Sequence, residues 1–107
     1  MIQQIYDTNY KGIIKKLLDK QKTVVVLTGT PTCKNCQLSK DNIKKYKTDK
    51  LVFLCMNHQT DFKLEEYYQM EELNIYPKTI IFYGTQKYFR EGILTLSTLQ
   101  EIENSIS

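Results

Sequence analysis

Two cysteines three residues apart, in Cys33-Lys34-Asn35-Cys36, are the side chains of this sequence best suited to do chemistry. Positions i and i+3 are neighbours on a helix surface, so two sulfurs spaced this way can bond without large backbone movement. A helix opening at the first cysteine offers N–H groups without intrahelical partners and the positive end of its dipole. A thiolate at Cys33 gains from both, and the Lys34 cation adds to them. An ordinary cysteine has a pKa of about 8.5, so any lowering increases the thiolate present at neutral pH. Cys33, nearer solvent, is expected to attack or be attacked, and Cys36, one turn inward, to resolve the mixed disulfide.

A second grouping competes for the same sulfurs. Cys55-Met56-Asn57-His58 completes a Cys-x2-Cys-x18-Cys-x2-His pattern with Cys33 and Cys36, close to the spacing of structural zinc sites. Cys55, however, stands inside an apolar run rather than in a polar turn, where it reads as a packed core thiol. His58, the single histidine, reads as a polar residue at a strand end, with a proton shuttle as its functional alternative. Lys44, Lys45, Lys47 and Lys50 cluster around Tyr46 and read as a solvated helix face and loop.

The 107 residues amount to one domain, residues 1–107, with enough hydrophobic side chains (41%) to bury a core. A formal net charge of +3 is too mild to imply a nucleic-acid or anionic-membrane partner. No apolar run approaches the roughly 18 residues of a membrane span. The N-terminus lacks the basic start, apolar centre and cleavage site of a secretory signal, so a cytoplasmic location is expected. Three cysteines are too few and too odd in number for a disulfide-stapled scaffold.

The elements that must position the cysteines follow from periodicity. Asp7, Thr8 or Asn9 caps a helix whose stripe is Tyr10, Ile13, Ile14, Leu17 and Leu18. Residues 23–28 and 51–56 are continuous apolar runs of the kind buried on both faces of a sheet. A helix is expected from Cys33 to about Lys47. Another, capped by Asp61 and carrying Leu64, Tyr67, Met70 and Leu73, is expected to run to about Asn74. Residues 79–83 and 86–90, separated by Gly84-Thr85, read as an antiparallel hairpin. Ser97 with Gln100 fits a capping box for a last helix, with Thr95 as the alternative cap. Residues 2–5 can add a short strand. The order predicts an α/β fold: a central mixed β-sheet of four to five strands flanked by helices on both faces. Cys33 and Cys36 then lie beyond the carboxyl end of a parallel strand, where such folds place their functional crevice.

With these residues in view, the chain resembles the thioredoxin family over nearly its whole length. The run 23–28 leading into Cys33-Lys34-Asn35-Cys36 is similar to the family's central strand and active-site turn. Tyr76-Pro77-Lys78-Thr79 resembles its proline loop, and Arg90-Glu91-Gly92 with the closing helix resembles its last strand, glycine and helix. The resemblance implies a thiol–disulfide oxidoreductase with no cofactor beyond the Cys33–Cys36 disulfide. It implies a cis Pro77, and a substrate peptide bound along Tyr76, Pro77 and Thr32. Protein disulfides are the implied substrates, a separate reductase the implied electron donor, and a monomer the expected state. Three departures qualify it. Thr32 replaces the family's Trp before the first cysteine, and Lys34-Asn35 replaces Gly-Pro. Leu27 stands where the family carries a buried acid that helps deprotonate the inner thiol. A redox-inactive interaction module on the same fold, a zinc domain and a glutathione-using glutaredoxin-like enzyme are the rival readings.

Overall fold

A computed structural model describes residues 2–30, 32–57 and 63–106. In chain order the elements are β1 (Ile2–Gln4), α1 (Tyr10–Asp19), β2 (Thr23–Gly29), α2 (Lys34–Lys45), β3 (Leu51–Asn57), α3 (Lys63–Tyr67), β4 (Lys78–Tyr83), β5 (Gln86–Glu91) and α4 (Leu96–Ser105). The strands form one sheet ordered β1-β3-β2-β4-β5. β1, β3 and β2 run parallel to one another, with Val25 opposite Phe53, whereas β4 runs antiparallel to both β2 and β5.

Burial explains why the middle strands are so apolar. Every residue of β2 is buried, because the strand has a partner on each edge and helices over each face. Val24 and Val26 pack with Leu54, Ile80, Phe82 and the α1 residues Tyr10 and Ile14 on one face. Val25 and Leu27 pack with Phe53, Cys55 and Ile81 beneath Ile43 of α2 and Leu99 and Ile102 of α4 on the other. β5, by contrast, is exposed along its whole length and lies at the edge of the sheet. Gly84, at the first position of its two-residue turn with β4, has φ +61°, which suits a hairpin turn there.

The helix ends depart from the expectations. Asn9 occupies the N-cap position of α1, yet its Oδ1 accepts from Tyr6 N (2.8 Å) and caps nothing in the helix. α2 stops at Lys45, where Tyr46 turns to extended backbone. Thr95, not Ser97, caps α4, its Oγ1 accepting from Thr98 N at 3.1 Å. The expected cap of α3, Asp61, lies outside the described residues. The largest correction is α3 itself, which ends at Tyr67 instead of reaching Asn74. Gln69 adopts φ +61°, Met70 N donates to Glu65 O (2.7 Å) and Gln69 N to Glu66 O (3.2 Å). That pair of bonds is the Schellman closure. α1 ends identically at Gln21 (φ 61°), with Lys22 N on Leu17 O and Gln21 N on Leu18 O. A glutamine in the left-handed region is a stop that composition does not advertise, because the usual residue is glycine.

Left-handed backbone costs a residue with a Cβ about 1–2 kcal/mol, and glycine's extra unfolded-state entropy offsets part of the relief. Gln21→Gly and Gln69→Gly are therefore each expected to stabilise the fold by about 0.5 kcal/mol in urea unfolding. A loss of stability in both would contradict this account of the helix ends.

Candidate active site

β2 delivers the chain to the carboxyl end of the sheet, and α2 begins five residues later, at Lys34. Cys33 is the N-cap of α2 in extended conformation (φ -80°, ψ 111°), and its sulfur accepts from Cys36 N at 3.1 Å. Cys33 and Cys36 are joined in a disulfide, with Cα atoms 5.2 Å apart. Cys36 is buried, 3% exposed, while Cys33 is half-buried and Thr32, Lys34 and Asn35 are exposed. The two sulfurs are thus unequal, one reachable and one sheltered.

Gly29 makes this arrangement possible. A Cβ placed on it would lie 2.6 Å from the Cys36 sulfur and 3.1 Å from the Cys36 Cβ. The first turn of α2 therefore rests directly on the last residue of β2. Gly29 went unremarked at the level of sequence. Its place between a fully buried strand and a Cys-x-x-Cys is the signal that could have marked it.

α2 is fastened to the segment before α4 by two polar side chains. Ser39 is fully buried; its Oγ donates to Asn35 O (2.8 Å) and accepts from Leu94 N (2.9 Å). Asn42 Nδ2 donates to Leu94 O at 2.9 Å. Both backbone polar groups of Leu94 are thereby satisfied by the helix that carries the cysteines.

The floor on this face of the sheet is non-acidic. Leu27 is buried between Cys55 and Thr79, its register partners on β3 and β4. Thr79 Oγ1 is buried with no hydrogen-bond partner among the described residues. Cys55 Sγ lies 3.2 Å from Gln4 Oε1, and burial pushes its thiol pKa up, against a smaller lowering by Lys40 and Lys44. Cys55 is thus a core thiol, bonded to neither Cys33 nor Cys36. Among the described residues no group of three or more His, Cys, Asp or Glu could hold a metal. His58, the fourth member of the zinc pattern, lies outside them.

The Tyr76–Pro77 peptide bond is cis, and Pro77 is buried. Thr28 Oγ1 donates to Lys78 O at 3.1 Å, which sets this loop level with the end of β2 from which the cysteines emerge. Gly92 N donates to Pro77 O (3.1 Å) and Ile75 O (3.3 Å), drawing the segment after β5 against the same loop. Cys33, Cys36, Tyr76, Pro77 and Gly92 therefore gather at one end of the sheet.

An ion pair missed at the level of sequence supports that loop. Glu65, 2% exposed, accepts from Lys78 Nζ at 3.0 Å, and both its oxygens lie 3.3 Å from the Tyr76 hydroxyl. The Tyr76 phenol is pushed up to about 12 by burial first, then by the Glu65 charge and the hydrogen bond to it. It therefore remains a donor across the physiological range. A lysine between Pro77 and a β-branched buried run was the available clue, since a lysine there needs an anion.

No protein-family model matches the chain, and no curated protein matches it. Solved structures match it almost end to end. A thioredoxin of Malassezia sympodialis is 20% identical, covering 98% of this chain and 90% of its own, at a TM-score of 0.73. Deadhead, a germline-specific thioredoxin of Drosophila melanogaster, is 17% identical with both chains fully covered, at 0.75. This chain has the thioredoxin fold. A thioredoxin f2 solved in complex with ferredoxin:thioredoxin reductase is 17% identical over 99% of this chain and 96% of its own, also at 0.75. The sheet order and the Cys33–Cys36 pair at the head of α2 agree with a thioredoxin fold; at these identities the likeness is one of architecture.

Two predictions follow from the packing. Gly29→Ala forces a methyl group into the Cys36 sulfur, and overpacking of this kind costs about 1–3 kcal/mol. Urea unfolding of the oxidised protein should show that loss, and unchanged stability would mean that α2 can lift off β2 freely. Cys55, with its raised pKa, holds less thiolate at neutral pH than a free cysteine. Alkylation of the reduced native protein at pH 7, read by mass spectrometry, should label Cys33 and spare Cys55.

Proposed function

We propose that the protein is a thiol–disulfide oxidoreductase acting on disulfides of other proteins, with Cys33 as nucleophile and Cys36 as resolving thiol. The observation that carries this reading is the disulfide between a half-buried and a buried cysteine at the N-terminus of α2. In the reduced protein, the Cys36 N–H and the helix dipole favour negative charge on the Cys33 sulfur. Exposed Lys34 adds a nearby cation.

The reaction is written for the reductive direction. The Cys33 thiolate attacks one sulfur of the substrate disulfide. That S–S bond breaks, a Cys33–substrate disulfide forms, and the released thiolate takes a proton from water. Cys36 then loses its proton and attacks Cys33 Sγ, which expels the second substrate thiolate and closes the Cys33–Cys36 bond. The substrate gains two electrons and the protein loses two. A separate reductase returns them; a reductase partner is also what the thioredoxin f2 complex holds. Tyr76 and Pro77 form the ledge along which the substrate backbone lies, with Thr32 at its edge. A reducing, cytoplasmic setting and a monomeric state complete the proposal.

Cys36→Ser removes the resolving step, so a mixed disulfide through Cys33 should accumulate and be recovered by thiol-reversible capture. Wild type should also accelerate insulin reduction by dithiothreitol. Activity no greater than that of Cys33→Ser would overturn the proposal and leave a redox-inactive module on this fold.

A further inference from the structure

We propose that Glu65 is a positioning residue for the Tyr76–Pro77 ledge, and that it favours protein disulfides over small ones. The inference rests on the reading of that loop as the substrate ledge. One carboxylate engages the residues on both sides of Pro77: the Tyr76 hydroxyl at 3.3 Å from each oxygen, and Lys78 Nζ at 3.0 Å. Lys78 Nζ also lies 4.9 Å from the centre of the Tyr76 ring, so the three side chains close a triangle. Glu65 is 2% exposed and cannot itself reach a substrate, so its influence passes through Tyr76.

Tyr76 is half-buried, its hydroxyl held inward by Glu65 while part of the residue remains accessible. A side chain already held in one orientation loses less freedom when a peptide settles against it. A peptide spanning the ledge feels that preorganisation, whereas a small disulfide that reaches only Cys33 does not. The clamp is also separate from the sulfurs. Lys78 shares the sheet face of Ile80 and Phe82, under α1 and α3, while Gly29 and Leu27 face α2 and Cys36.

The test is a double-mutant cycle. Glu65→Leu with Lys78→Met removes both charges of this ion pair together. In this double variant kcat/KM for insulin disulfides should fall about tenfold, mostly through KM, while reduction of hydroxyethyl disulfide stays within about twofold. Tyr76→Phe should cause a comparable loss on insulin in the wild-type background and none further in the double variant. If the double variant fails to fold by circular dichroism, Glu65→Gln takes its place in the cycle with the same pattern expected. Equal losses on both substrates, or a Tyr76→Phe effect that is the same in both backgrounds, overturn the inference. A wild type active on both substrates with unaffected variants overturns the inference alone. A wild type that reduces neither overturns the proposed function and the inference with it.

Discussion

The Cys36 sulfur fills the space that a side chain at position 29 would need. Because β2 ends in a residue without a Cβ, α2 can start against the sheet with no loop between its inner face and the strand. Much of the site depends on that contact. It buries Cys36 and, with the short chain from Gly29 to Cys33, leaves the N-cap cysteine at the surface. It also holds α2 at the height where Ser39 and Asn42 reach Leu94. Raising the helix by the width of a methyl group would strain all three relations together, since close-packed interiors yield little.

The sheet divides polar from apolar chemistry between its faces. Beneath α2 the residues around Leu27 are Cys55 and Thr79, and none supplies an acid. Leu27 stands where the resemblance would place a buried carboxylate. The buried carboxylate among the described residues, Glu65, lies on the opposite face and is occupied by Lys78 and Tyr76. Removing one member of such a pair typically costs about 3–5 kcal/mol, because the other charge stays buried. Glu65 is thus committed to Tyr76 and Lys78 rather than to Cys36.

The architecture was legible wherever a signal was local or strongly periodic. The unbroken apolar runs in β2 and β3, the α1 stripe and the Gly84-Thr85 hairpin each follow from one segment read by itself. The Cys-x-x-Cys was legible for the same reason. What escaped depends on partners distant in sequence. The Glu65–Lys78 pair joins residues whose neighbourhood is set by sheet topology, and Ser39 reads as one more polar residue of a lysine-rich helix until Leu94 is placed beside it. The length of α3 was misjudged because Leu64, Tyr67, Met70 and Leu73 keep helical spacing past its end. Met70 is buried as that spacing suggests, but by a reversal of the chain rather than by another turn of helix.

That reversal ties the helix end to the ledge. Gln69, in left-handed conformation, sends Met70 N back to the carbonyl of Glu65. The same residue therefore closes α3 through its backbone and holds Tyr76 and Lys78 through its side chain. Had α3 continued to Asn74, only Ile75 would separate its end from Tyr76, too little chain to bring Tyr76 back beside Glu65. The early stop provides the residues that double back along the sheet, with Met70 fully buried as their anchor. A carboxylate one turn from a helix end is well placed for both tasks, because the Schellman closure fixes its backbone without using its side chain. The position of Tyr76 is thus set by where a short helix ends, and Pro77 inherits its place from that.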